Sequence, residues 1–201
     1  RYQVSKLKTT CSAFVIYLGL NKKLNSIPKH FSTWLFSSYD IENCYSRYNL
    51  RNLYKLNYLL CSFPSLIDPS LAPKGKSIVR ILMGAEYADK EKWENNKEKL
   101  FEKVIVKLQP IIPGIEECLD VKEFATPCSF YRYTLNRSGS IFGWQAIPSQ
   151  IERMVFPYRT SIENLYLSGH WVTNGIGQCG VAGVAFSGKY TAQNIIRKSL
   201  T

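Results

Sequence analysis

Nine residues from Ser12 to Leu20 (SAFVIYLGL) are almost all apolar and rich in β-branched and aromatic types, and the turn region 19–25 closes them. That pattern predicts a buried strand. Residues 30–37 (HFSTWLFS) predict its neighbour, and 58–64 and 78–83 predict two more strands. Between those two lies a segment carrying Pro64, Pro69, Pro73 and Gly75, residues that stop sheets and set turns. The first 85 residues are therefore expected to be mostly antiparallel sheet. From Asp89 the period changes, because Trp93, Leu100, Val104 and Leu108 fall on one helical stripe. Asp89 is placed to cap that helix, and Pro110 with Pro113-Gly114 ends it. The expected role is an amphipathic helix covering the sheet.

Beyond that helix, 121–126 predicts a short strand and 127–134 a turn of helix opening on a proline. Residues 139–148 (GSIFGWQAIP) read as a loop with aromatics, the kind that lines sites. A compact apolar strand is expected at 164–169 (NLYLSG). After a glycine-rich turn, 180–200 reads as a closing helix whose early small residues allow close approach. Strands, then a helix, then strand-loop-helix describe a mixed α/β (α+β) chain without internal repeats.

Composition narrows the class. The 201 residues are 45% hydrophobic, with 26 Lys+Arg against 15 Asp+Glu and a net charge of +11, which is globular and neither disordered nor collagen-like. The longest apolar run is far short of the roughly 18 residues needed to cross a bilayer. The N-terminus shows neither Met nor a signal-peptide pattern, so the chain reads as one entered in its middle. Six cysteines without a CxxC pair give no local metal or redox motif and are expected to be reduced thiols. Basic residues concentrate in the first sixty positions, nine against Asp40 and Glu42, with Tyr39, Tyr45, Tyr48, Tyr54 and Tyr58 between them. Anionic membrane or water would suit such a face. No RNP, KH or helix-turn-helix signature accompanies it, so no nucleic-acid partner is expected.

The sharpest local chemistry lies near the C-terminus. Residues 175–180 (GIGQCG) satisfy GxGxxG literally, a spacing that suits phosphate at a helix N-terminus. A full dinucleotide-binding unit is rejected. Five residues separate Gly169 from Gly175, and no acidic residue follows Glu163. What survives is that this helix start faces either an anionic cofactor or closely packed backbone. His170 directly follows the predicted strand, where side chains point into sites or hold structure. With His30 the only other histidine, multi-histidine metal sites are excluded and no metal is expected; the absence of GxSxG leaves Ser-His-Asp chemistry without support.

Three ordered blocks carry a resemblance that spacing alone does not. PSLIDPSLAPKGKSIV (64–79), ATPCSFYRYTLNRSGSIFGW (125–144), and NLYLSGHW followed by GVAGVAFSGKYTA (164–192) together resemble the C-terminal part of the carotenoid desaturase and isomerase family. That family includes phytoene desaturases and retinol saturases, within the amine-oxidase-like flavoproteins. The resemblance implies an FAD-dependent oxidoreductase acting as desaturase, saturase or isomerase on a polyene such as a carotenoid or retinoid, with the flavin carrying the chemistry and no protein acid or base assigned. It implies that residues 1–120 form a substrate-binding sheet with its covering helix, and that 121–201 complete an FAD-binding domain whose N-terminal GxGxxG half is missing here.

Carried over position by position, the resemblance makes Gly169, His170, Gly180, Val181, Gly183 and Val184 cofactor-binding, and Phe142 and Trp144 substrate-binding. The family commonly has an acidic residue where His170 stands. Implied partners are a hydrophobic polyene, the missing FAD-binding half and an anionic membrane surface, in a cytoplasmic or plastid-like compartment. The alternative from another class is a non-catalytic remnant that binds an apolar ligand or partner chain without flavin.

Overall fold

The computed structural model describes residues 4–24, 32–45, 50–151, 158–172 and 180–199. These divide into two compact units, Ser12–Gly139 and Arg1–Cys11 with Ser140–Thr201.

The first unit is built on one antiparallel sheet of strands β1 (Ser12–Leu20), β2 (Ser32–Phe36), β3 (Tyr58–Ser62), β4 (Ser77–Ala85) and β5 (Leu119–Ala125), in the order β2-β3-β4-β1-β5. The alternation along β1 sets its faces. Phe14, Ile16 and Leu18 pair across the ladder with Met83, Ile81 and Val79, and Cys61 of β3 continues the Ile81 row, so the centre of this face is apolar and buried. At Gly19/Leu20 the pairing with β5 shifts register, and a Cβ on Gly19 would stand 3.1 Å from Val121 Cβ. A glycine there lets the two strands approach closely without displacing Val121.

Short helices α1 (Ile41–Cys44), α2 (Leu50–Leu53) and α3 (Pro64–Ile67) fill the connections on either side of β3. The expected long helix is two pieces, α4 (Lys90–Glu94) and α5 (Lys97–Leu108), broken at Asn95-Asn96. Asparagine competes for backbone hydrogen bonds, and Asn96 does so here by donating from Nδ2 to the carbonyl of Lys92 at 2.6 Å. Asp89 occupies the cap position, yet its side chain makes no capping bond. The predicted stripe nevertheless faces the sheet. Trp93, Leu100, Val104 and Leu108 are fully buried, and Trp93 stacks on Phe14 with centroids 5.3 Å apart. Burying side chains of this size contributes roughly 1.5–3 kcal/mol each.

After β5 comes α6 (Pro127–Thr134), whose Thr126 and Ser129 form a reciprocal capping box around the proline-started first turn. The domain boundary expected at 120 falls inside β5. That strand pairs with β1 from Val15 to Leu20, which ties 121–139 to the sheet and puts the division between compact units at Gly139/Ser140. Three of the tyrosines among the basic residues have packing roles, Tyr58 buried against Tyr45 at 4.6 Å and the Tyr54 hydroxyl donating to Asn96 Oδ1 at 2.5 Å, while Tyr39 is fully exposed.

In the second unit, α7 (Pro148–Ile151) and α8 (Gly180–Ser199) are the α-helices among the described residues. The strand expected at 164–169 is not formed. Its segment makes one isolated bridge, Tyr166 with Arg159, because the chain turns at Asn164 with φ of +59° and returns on itself too tightly for a ladder. The residue His30, in the strand expected at 30–37, lies outside the described residues, as do Gly175 and Gly177. Among the described residues no helix is long and apolar enough to cross a membrane, and no cluster of residues could hold a metal ion.

Candidate functional site

The second unit gathers residues that the sequence assigned to two different roles. Its base is a polar knot. Thr10 and Ser140 hydroxyls meet at 2.7 Å; Ser140 Oγ bonds Gly143 on both sides, donating to its carbonyl at 2.9 Å and accepting from its N–H at 3.0 Å; and Phe142 N–H donates to Thr10 Oγ1. Buried Gln150 adds a second clamp, accepting from Lys8 N–H and donating to the carbonyls of Lys8 and Gln145. Satisfied buried polar groups of this kind hold a loop in one conformation. They present Gly143 and Trp144 to the segment 169–172.

Gly143 has φ of +80°, and a Cβ there would lie 2.7 Å from His170 Cδ2 and 2.8 Å from His170 O. Trp144 is buried; its indole N–H donates to the Trp171 carbonyl, and the His170 ring lies 5.0 Å from the Trp171 ring. The structure thus brings Trp144, expected on the substrate side, beside His170, expected on the cofactor side. Phe142 is half-exposed at 39%. Burial pushes the His170 pKa below the usual imidazole range, so at neutral pH the ring is uncharged and can donate one hydrogen bond and accept another.

Gly169 adopts φ of +109° with open space where a Cβ would be, and its N–H donates to Ser187 Oγ of α8 at 2.9 Å. One helical turn on, Thr191 Oγ1 donates to the Leu167 carbonyl at 2.8 Å. Ser187 and Thr191 are buried at i, i+4 and pin α8 to the turn that carries His170. Sequence reasoning passed over both. Their signal was two small hydroxyl residues at helical spacing, i and i+4, on the closing helix. The other expected cofactor residues lie at the start of α8, where Gly180 has φ of +52° and open space, Gly183 is half-buried, and Val181 and Val184 are 88% and 40% exposed. Further along, Phe186, Tyr190, Ile195 and Ile196 are also exposed, so most of this helix's apolar surface is uncovered.

Whether these residues fit an anionic dinucleotide such as FAD turns on backbone access and charge. Two glycines of positive φ with empty space at the Cβ position leave room for backbone to approach a ligand. The first turn of α8 carries no acidic residue to offset the positive end of the helix dipole. The donor set fits.

In the first unit, the face of the sheet opposite the core is also chemically distinct. Trp34, Leu60, Leu82 and Val15 form one row across β2, β3, β4 and β1, and Ser32, Ser62, Arg80, Tyr17 and Glu123 form the next across all five strands. Trp34 and Tyr17 are exposed by 47% and 42%, Leu60, Ile78, Arg80 and Leu82 are half-buried, and Val15 is buried. The sequence marked these strands as substrate-binding without singling out Arg80 or Tyr17, because alternation says which positions share a face but not which face stays open.

No protein-family model matches the chain. Over 144 residues, 68% of the chain, it is 31% identical to a chloroplastic prolycopene isomerase of Daucus carota, of which the match covers 23%. Over 200 residues, 96% of the chain, it is 24% identical to a 4,4'-diapolycopene oxygenase of Methylomonas sp, covering 39% of that protein. Among solved structures, an oxidoreductase from Methanosarcina mazei matches 94% of this chain and 35% of its own, at 19% identity and a TM-score of 0.49. The chain therefore spans less than half the length of the curated relatives it matches.

Proposed function

We propose, from the kinship of this chain with the carotenoid desaturase family, that it is the C-terminal portion of an FAD-dependent oxidoreductase acting on a polyene, and that an N-terminal dinucleotide-binding half completes its cofactor site. The observation that carries this reading is α8. A helix whose Ser187 and Thr191 are tied down while Val181, Phe186, Tyr190, Ile195 and Ile196 stay exposed around most of its remaining circumference carries apolar surface that a further layer of protein would bury.

In this reading Gly169, Gly180, Gly183 and the first turn of α8, with Val181 and Val184, hold the FAD phosphates and approach its flavin. His170 offers the cofactor one donor and one acceptor from a neutral ring, and Phe142 and Trp144 shape the substrate side. When bound, FAD supplies hydride transfer to or from a C–C unit, or assists double-bond isomerisation. The chain's own contribution is to exclude water and lay an elongated apolar substrate along the open sheet face. Basic residues in the first third steer it to an anionic membrane surface where such substrates dissolve.

The test is the visible absorption spectrum of the purified chain, alone and co-expressed with an N-terminal GxGxxG half from a relative. Flavin bands only in the joined protein, with conversion of a polyene followed by chromatography, are the expected result. Stoichiometric flavin on the isolated chain would overturn the half-site arrangement, and no flavin in either form would leave a non-catalytic apolar-ligand binder. Sedimentation with liposomes should bring the chain down only when anionic lipid is present; equal recovery in the supernatant would remove the membrane role.

A further inference from the structure

Arg80 stands in the middle of the open sheet face, and among the described residues no opposite charge stands beside it. Along its own strand it is flanked by Ile78 and Leu82, and the adjacent row is Trp34, Leu60, Leu82 and Val15. Across the ladder its neighbours are Ser62 and Tyr17. The one carboxylate in its row, Glu123, is two strands away, roughly 10 Å at ordinary strand spacing. Arg80 is absent from the ion pairs formed among the described residues, which are Lys76–Asp120, Lys92–Asp89, Lys97–Glu94 and Lys122–Glu98. Its single hydrogen bond there is a long one, Nη2 to Ser62 Oγ at 3.3 Å, and its Nε is buried with no acceptor.

A guanidinium holds a fixed charge and five donors in a fork shaped for a carboxylate. Desolvating one on an apolar surface costs free energy unless an acceptor arrives. An elongated hydrocarbon alone would leave the cost standing, and a soluble anion alone would not use the surrounding Trp34, Leu60, Ile78 and Leu82.

We infer that Arg80 is a specificity residue on this face, and that it takes the carboxylate end of a long apolar molecule whose chain lies over β3, β4 and β1. The inference rests on the reading of this face as the polyene site and adds the end group. The outer Nη–H groups meet the two carboxylate oxygens, Ser62 steadies the fork, and Tyr17 offers its hydroxyl from the neighbouring strand.

The probe is parinaric acid, a fluorescent conjugated polyene acid, titrated below its micelle-forming concentration at pH 8 into the purified chain, with its methyl ester as the neutral counterpart. Acid should bind about ten- to a hundred-fold more tightly than ester, the range of a charge-assisted pair. Arg80→Leu should keep ester binding and lose the preference, while Arg80→Lys keeps part of it; circular dichroism melts of each variant check that the sheet is intact. Equal affinity for acid and ester in the unaltered chain, or a preference that persists in Arg80→Leu, overturns the role of Arg80 and leaves the apolar face standing. Failure of both probes to bind overturns the reading of the face, and the inference with it.

Discussion

The indole N–H of Trp144 donates to the backbone carbonyl of Trp171 at 3.1 Å, and the two rings meet edge to face with centroids 4.7 Å apart. One hydrogen bond and one aromatic contact thereby join two segments 27 residues apart in sequence, the loop at 139–148 and the turn carrying His170. The resemblance had given those segments different tasks. Their contact makes the histidine expected on the cofactor side and the tryptophan expected on the substrate side parts of one local structure.

Gly143 is the residue that permits it. Gly143→Ala would force an L side chain to φ of +80° and drive its Cβ to 2.8 Å from the His170 carbonyl oxygen, a backbone atom that cannot swing aside. A loss of about 2 kcal/mol or more in urea-unfolding stability is expected. A Gly143→Ala midpoint equal to that of the unaltered protein would mean the two segments do not pack this way.

His170 should make stability depend on pH in one direction. Burial lowers its folded-state pKa below the unfolded value. The unfolded chain therefore binds the proton more readily, stability is full above the unfolded pKa near 6.5, and it falls as pH drops below that value. Urea midpoints at pH 7.5 and 5.5 should differ more for the unaltered protein than for His170→Gln. An equal difference in both would show that the ring is not desolvated.

Trp93 anchors α4 to the sheet against Phe14, and its indole N–H is buried without an acceptor among the described residues. Trp93→Ala removes a fully buried ring and should cost about 3–5 kcal/mol. Trp93→Phe keeps much of the stacking and discards the unmet donor, so its cost should be well under half of that. Thermal melts of the two variants decide; similar losses would mean the N–H is satisfied after all.

Cys61 lies on the buried face of β3, and burial pushes its thiol pKa up to about 12. Iodoacetamide at pH 8 should leave Cys61 unmodified in the folded protein and alkylate it fully in urea, since the thiolate is the nucleophile. Rapid native-state labelling, read by peptide mass spectrometry, would indicate that β3 opens easily.

The legibility of the sequence followed the range of the forces involved. Strand β1, the stripe Trp93, Leu100, Val104 and Leu108, and the proline-started α6 were all readable, because periodicity, β-branching and capping chemistry act over a few residues. The strand expected at 164–169 failed for the same reason in reverse. Its apolar run was locally right for a strand, but a ladder needs a partner, and the turn at Asn164 allows only one bridge. The apolar stripe runs on across Asn95-Asn96, so periodicity predicts one helix where the structure has two.

By itself, then, the sequence determined the elements, the apolar face of each, and, through three ordered blocks, its kinship with carotenoid-acting enzymes. The tertiary structure alone decided that Trp144 meets Trp171, that Ser187 and Thr191 rather than the valines of α8 hold the 167–169 turn, and that Arg80 comes to rest on the open sheet face without a countercharge among the described residues. Those outcomes depend on which distant segments share space. Side-chain type and local spacing leave that choice open, and long-range pairing and packing settle it.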